Sequence, residues 1–487
     1  MQRGAKIHIN LVVKVIGLLL VIMGLFMFTG IPFSFYFGSG DAGWLALSGS
    51  LTSLSGLGAY FVTRKADNRS IGKREGYLIV SLSWVVFSFF GAIPFWISGA
   101  IPSFTDAFFE TMSGFTATGA TILSDIEAMP KGLLFWRSMT HWLGGMGIIV
   151  LSLAILPLLG IGGMQLFMAE SPGPTYDKLH PRIKETAKRL WGVYVLLTLI
   201  QTGLLMLGGM NLFDGLCHAF GTMATGGFST QNDSIAGYSP YIHYVITFFM
   251  ILAGTGFTLH YFVLRGMFSR VRANDEFRFY LFVLGAATLM ISISLIGNGV
   301  FGTEEGFRNA LFQTVAIVTT TGFVTSDYLL WPNFAWFVIL LLMFTGGCAG
   351  STAGGIKMVR HLLLFRNSLL ELKRQVHPFA VIPVRLNGKP VSQNIIYNVL
   401  AFYLIFFTIF AAGVLIMSGI GLDFESSIGV VIASLGNIGP GIGMVGPVEN
   451  YAAVPLAGKW VLSFLMLLGR LELFTVLILF TRAFWKH

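Results

Sequence analysis

The chain runs to 487 residues, of which 55% are hydrophobic and only 11% charged, with 59 glycines. A soluble domain carries roughly 25% charged residues, so this chain has too little polar surface to cover itself in water. That excludes a water-soluble enzyme, and the surplus of 31 Lys and Arg over 22 Asp and Glu is read first as a membrane-orientation signal, not as affinity for nucleic acid.

A transmembrane helix needs about 20 mostly apolar residues. Segments of that kind fall at 9–30, 43–63, 76–100, 133–159, 190–209, 241–264, 279–299, 332–360, 396–419 and 457–484, which predicts ten spans. The N-terminal MQRGAKIHIN and the apolar run to Phe28 have the charge pattern of a secretory leader. The run is too long for one and no small-residue cleavage site follows, so it reads as the first span. Cys217 and Cys348 lie in apolar segments far apart, which fits packing residues and no disulfide framework.

With the N-terminus cytoplasmic, the cytoplasmic stretches take Arg3, Lys6 and Lys14 and then the basic residues of 64–74, 178–189, 265–278, 357–389 and 482–486. Those are 26 of the 31 basic residues, the bias that sets orientation. Both termini are thereby placed in the cytoplasm.

The loops on the opposite side are more informative. Four are apolar, rich in Thr and Gly, and alike: 104–122, 213–230, 307–325 and 424–443. Each opens on Phe with a candidate N-cap (Asp106, Asp214, Asn309, and Glu425 or Ser426), runs about three apolar turns and reaches a glycine. Those glycines, Gly119, Gly226, Gly322 and Gly439, are 107, 96 and 117 residues apart, and a glycine cluster follows each in 142–149, 251–258, 344–358 and 466–475. An apolar helix of about 12 residues cannot span, and irregular backbone at membrane depth must be buried in protein or line a water-filled cavity. Four re-entrant helices therefore converge on one axis. A unit of span, re-entrant helix, filter and span returns to its starting side, so the repeats run parallel, unlike the inverted repeats of many transporters.

The chemistry suits a cation. Carbonyl rings of an extended backbone replace a hydration shell, glycine allows φ > 0, and the negative end of each half-helix favours positive charge nearby. The candidate filter residues are Ala117, Thr118 and Gly119; Ala224, Thr225 and Gly226; Thr320, Thr321 and Gly322; and Asn437, Ile438 and Gly439. The threonine before each glycine can brace the segment, and the fourth, Asn437-Ile438-Gly439-Pro440, lacks it. No nucleophile–base or paired-carboxylate constellation lies on the spans, so no enzyme activity is expected. GIGMVG at 441–446 fits a dinucleotide-binding pattern, but neither a strand nor a βαβ unit surrounds it.

These residues resemble the Trk/Ktr/HKT superfamily of cation transporters over 71–487. The extra spans in 9–63 and the GRLELFT string near the end are most similar to its Trk branch, the TrkH/TrkG type of membrane subunit. The resemblance implies an all-α integral membrane protein of four parallel M1-P-M2 repeats around a central pore, here 71–165, 166–272, 273–380 and 381–487, behind a two-span unit at 1–70. It implies potassium uptake across a bacterial inner membrane, with glycine at the first filter position (Gly119) marking potassium preference where sodium-selective relatives carry serine. It also implies a homodimer and a cytosolic, nucleotide-binding RCK-type partner (TrkA-like), for which 178–189 and 357–389 are candidate docking surfaces; a plain positive-inside bias would look the same. No organic cofactor is expected, potassium being cargo.

Two elements admit two readings. GGCAGSTAGG (Gly346, Gly347, Cys348, Ala349, Gly350, Ser351, Thr352, Ala353, Gly354 and Gly355) is either a close-packing helix face or a helix break; the resemblance favours the break, as an intramembrane gate. Arg470 stands out as a basic residue in the middle of a span. It is either half of an ion pair with another helix or, as the family implies, a cationic barrier in the pore. A rival reading is a cation-coupled symporter for an organic solute, or a sodium-conducting relative.

Overall fold

The computed structural model describes residues 7–66, 72–147 and 183–485. The expectations on Arg3, Lys6, Arg69, Lys178, Arg182 and Lys486, on most of the 178–189 surface, on the later part of the 133–159 segment and on the 165/166 repeat boundary lie outside the described residues.

The N-terminal unit is α1 (Ile9–Met27), continued through one 3-10 turn by α2 (Ile31–Phe37), with α3 (Ala42–Val62) packed beside it. Glycines bring the helices together. A Cβ on Gly17 would sit 2.8 Å from the Gly56 carbonyl oxygen, and one on Gly24 would sit 2.7 Å from that of Gly49, an approach only small residues permit.

Four units follow. The first has α4 (Lys73–Ile97), α5 (Phe104–Phe115) and α6 (Lys131–Trp142); the second has α7 (Ile183–Leu207), α8 (Leu212–Met223), α9 (Pro240–Ala253) and α10 (Phe257–Leu264). A short α11 (Phe268–Arg272) leads to the third, α12 (Asp275–Gly297), α13 (Thr303–Val318), α14 (Asn333–Leu342) and α15 (Met358–Val376). The fourth has α16 (Gln393–Ile420), α17 (Phe424–Leu435), α18 (Leu456–Arg470) and α19 (Phe474–Leu477). Among the described residues, six helices are long and apolar enough to cross a membrane, or eight if each bent pair is one span: the six are the α1–α2 run, α3, and α4, α7, α12 and α16, the opening helices of the four units. With exposed apolar side chains such as Leu199, Phe282, Leu289 and Leu404, the chain is a multi-pass membrane protein.

The re-entrant helices α5, α8 and α17 have 12 residues each and α13 has 16. Their C-terminal halves are buried except at Leu311. Their N-caps lie earlier than the sequence suggested: Ser103, Asn211 and Asp423 accept the amides of Asp106, Asp214 and Ser426, and Gly302 opens the third helix. Asn309 lies inside α13 and takes the Thr325 hydroxyl at 3.0 Å.

The closing spans are broken. α9 and α10 meet at 101°, and α18 and the 474–480 stretch meet at 111°. In place of a continuous helix over 332–360, α14 stops at Leu342 and irregular chain runs to Lys357. Among the described residues the β structure is one hairpin, Arg385–Leu386 against Lys389–Pro390, turned at Asn387 and Gly388, both with positive φ. That Asn-Gly pair is the usual signal for such a turn.

Candidate ion pathway

The four re-entrant helices end alike. Past their C-caps at Thr116, Ala224, Thr319 and Gly436, the next residues are Ala117 (φ 51°), Thr225 (54°), Thr320 (54°) and Asn437 (53°). An L-residue in this left-handed region is strained by roughly 1–2 kcal/mol, and one stands directly after the re-entrant helix of every unit. Each such residue donates its amide to the carbonyl three positions back, and the following residue donates to the carbonyl five back, at 2.8–3.2 Å. This is the Schellman end of a helix. It commits the amides to the helix and leaves the carbonyls to face elsewhere.

The third residue past the cap is a glycine at positive φ: Gly119 (85°), Gly227 (81°), Gly322 (74°) and Gly439 (96°). The second unit differs from the sequence expectation by one position. Matching Thr-Gly strings puts Gly226 in the ring, but Thr225 has the backbone of Ala117, Thr320 and Asn437, and Ala224 caps the helix. By backbone conformation, the triplet in the second unit that matches 117–119, 320–322 and 437–439 is 225–227.

The four segments close on one another in chain order. A Cβ on Gly119 would collide with the Gly226 carbonyl oxygen, one on Gly227 with that of Thr321, and one on Gly322 with that of Ile438; one on Gly439 would lie 2.8 Å from that of Thr118. Among the described residues, no donor reaches the carbonyls of 117–119, 225–227, 320–322 or 437–438, whereas Gly439 accepts the Tyr451 hydroxyl at 2.7 Å. Threonines brace the first and third segments, Thr116 with Thr118 and Thr319 with Thr321, each at 2.8 Å. The fourth uses Asn437 instead, whose amide donates to the Thr118 hydroxyl and the Met466 carbonyl, both at 2.9 Å.

Behind the ring lies a support that the sequence reading missed. Arg137, on α6, is 1% exposed and pairs with the buried Glu110 of α5 at 2.7 Å. Its Nη1 donates to the Ser229 carbonyl at 3.0 Å, and its guanidinium lies 3.6 Å from the Phe228 ring centroid. Glu110 also accepts the Thr121 hydroxyl and the Ile122 amide, both at 2.8 Å. The available signal was a second arginine inside an apolar run, KGLLFWRSMTHW, opposite a glutamate in a re-entrant helix. At the outer mouth, the Asn232 side chain donates to Asp125 at 3.2 Å and holds that carboxyl below its ordinary value.

Beneath the ring, 346–355 forms a loop, not a packed helix face. Its Gly354 amide donates to the Thr320 hydroxyl at 2.7 Å, and the Thr352 hydroxyl donates to Met223 O at 3.0 Å. The Cys348 amide reaches Gly254 O at 2.8 Å, Gly350 O accepts the Phe257 amide at 2.9 Å, and Lys357 reaches Ala353 O. Glu276, at the start of α12, accepts the amides of Ala349 and Val359 at 2.6 and 3.1 Å. Arg470 closes the far side, donating to Thr352 O at 2.6 Å and to Gly144 O and Gly145 O at 2.7 and 2.6 Å. Glu472 pairs with Arg360. The loop and Arg470 thus meet each other and together touch all four units.

Among the described residues, no group of three His, Cys, Asp or Glu side chains could hold a metal ion. A sequence profile described as a cation transport protein family, TrkH, matches residues 46–486. The chain belongs to the TrkH family of cation transport proteins. Among TrkH-family relatives, the Trk system potassium uptake protein TrkH of Escherichia coli strain K12 is 40% identical over 488 residues, covering 99% of this chain and 100% of that protein. The Trk system potassium uptake protein TrkG of the same strain is 37% identical over 437 residues, covering 88% and 89%. The crystal structure of the potassium transporter TrkH from Vibrio parahaemolyticus aligns with a TM-score of 0.88 at 37% identity, over 99% of this chain and 100% of that one. The expected fold class, an all-α membrane protein of span–re-entrant helix–span units, agrees with that structure, and the family is one of transporters.

Proposed function

We propose that this chain takes up potassium through the ring of 117–119, 225–227, 320–322 and 437–439. The units 71–165, 166–272, 273–380 and 381–487 each contribute one segment, with 1–70 as an accessory pair. The observation that carries the reading is the closed ring of glycine-centred segments whose first two amides go to helix ends, while among the described residues all their carbonyls but that of Gly439 lack donors; such carbonyls can substitute for a hydration shell. The C-terminal ends of the four re-entrant helices adjoin the ring, and their dipoles favour a cation there. A symporter for an anionic organic solute would instead present half-helix N-termini. Segment 346–355 and Arg470 act as the barrier that a regulatory partner shifts. A homodimer and a cytosolic nucleotide-binding RCK-type subunit complete the proposal, on the strength of the family, with 357–389 as the described basic surface for docking.

Rubidium and sodium uptake by purified protein in liposomes tests it. Wild type should prefer potassium and rubidium over sodium. Gly119→Ser should lose much of that preference, because its Cβ meets the Gly226 carbonyl and an L-residue is strained at φ 85°. A wild type that takes up sodium as readily as potassium would sink the proposal.

A further inference from the structure

We propose that the corner joining α10 to α11 is a binding site for the phosphate headgroup of an anionic phospholipid, in the leaflet facing the basic loops. α9 and α10 pass as a span only together, and the 101° bend between them turns α10 across the direction of α9. There Val263, Leu264 and Phe268 are exposed, which suits a segment lying in the interface with its apolar side chains among acyl chains.

Arginines gather on the aromatic rings of the same corner. Arg189 donates to the Tyr261 hydroxyl at 2.9 Å, and the guanidinium carbons of Arg189 and Arg265 lie 5.4 and 5.5 Å from the Tyr261 ring centroid. Arg270 lies 5.4 Å from that of Phe262, and Arg272, two residues on, is exposed. Several arginines on this side do meet carboxylates: Arg278 and Arg366 share Asp275, Arg374 meets Glu371 and Arg360 meets Glu472. Among the described residues, no carboxylate pairs with Arg189, Arg265, Arg270 or Arg272. Guanidinium forks match phosphate oxygens in pairs, and rings that hold the arginine stems reduce the entropy lost on binding. A soluble phosphate would use the arginines but not Leu264 and Phe268, so a lipid fits both halves of the corner.

Native mass spectrometry of the full-length protein with phosphatidylglycerol or phosphatidylcholine tests the site. Wild type should retain phosphatidylglycerol preferentially. Arg265→Gln/Arg270→Gln should weaken that retention by about fivefold per arginine, roughly 25-fold for the pair, whereas Lys373→Gln/Arg374→Gln, which removes the same charge elsewhere, should leave it nearly unchanged. Arg265→Lys/Arg270→Lys, which keeps charge and size, should fall between and serves where the glutamine variant does not fold. Equal retention of the two lipids, an equal loss in the Lys373/Arg374 control, or displacement of the lipid by millimolar inorganic phosphate would each overturn the proposal.

Discussion

Gly226 and Gly227 are neighbours, yet different physics excludes a side chain at each. At Gly227 the backbone has φ 81° and a Cβ would strike the Thr321 carbonyl oxygen of the next unit. At Gly226 a Cβ would strike the imidazole of His141, a fully buried ring lying 3.9 Å from that of Phe228. The obstacle at Gly226 is thus a removable side chain, and at Gly227 it is backbone. Gly227→Ala should therefore cost roughly 1–2 kcal/mol in backbone strain alone and abolish potassium selectivity whatever stands at position 141. Gly226→Ala should also impair rubidium uptake, but Gly226→Ala combined with His141→Ala should recover it. Recovery of Gly227→Ala by the same second change would remove the distinction.

At the scale of elements, the re-entrant helices were legible because 12 apolar residues behind a polar cap and before a glycine have few other places to go. Their register was less so: two adjacent glycines in Thr225-Gly226-Gly227 fit the Thr-Gly pattern at the wrong one, and only the left-handed residue after each cap settles it. The breaks in the closing spans were half visible. Glycine clusters marked them, but glycine also serves close helix packing in membranes, so length and composition alone kept 332–360 whole. Glu276 was not legible at all, since a carboxylate at a helix start reads as a cap and its work is to hold amides more than 70 residues away. Glu276→Ala would leave the Ala349 and Val359 amides buried without their acceptor, a penalty on the order of 1–3 kcal/mol. If 346–355 is the barrier, that loosens its closed form, and rubidium flux without any regulatory partner should rise by roughly 5- to 100-fold. Arg470→Ala, which removes three hydrogen bonds from the opposite side, should act in the same direction. A lower basal flux in both variants would argue that the loop supports the pathway instead of blocking it.

At the scale of the molecule, a pore made from one chain has to join its last unit to its first, and the outer segments do so in sequence. Asn232 accepts the Ile126 amide at 2.6 Å, Val324 O accepts that of Ile235 at 3.1 Å, Tyr328 donates to Gly441 O at 2.6 Å, and Thr121 O accepts the Tyr451 amide at 2.8 Å. Each seam joins consecutive units except the last, which joins the fourth to the first. Arg137 supports this ring from within the protein, since one guanidinium ties α6 to α5 through Glu110 and to the second unit through Ser229 O. Breaking a buried pair by removing one partner costs about 3–5 kcal/mol, because the other charge stays behind. Arg137→Met should therefore lower the thermal stability of the purified protein sharply and loosen potassium-over-sodium discrimination with it. Glu110→Gln keeps a carbonyl oxygen to accept the Ile122 amide and turns an NH2 donor to the Thr121 hydroxyl while removing the charge, so Arg137→Met/Glu110→Gln should regain much of the stability. The double variant should not regain full selectivity, because Ser229 still lacks its donor and the second segment its outer support. Thermal melts and paired rubidium and sodium uptake on the three variants separate the outcomes: selectivity restored along with stability would reduce Arg137 to a packing role, and stability restored without selectivity would place it in the scaffold of the ring.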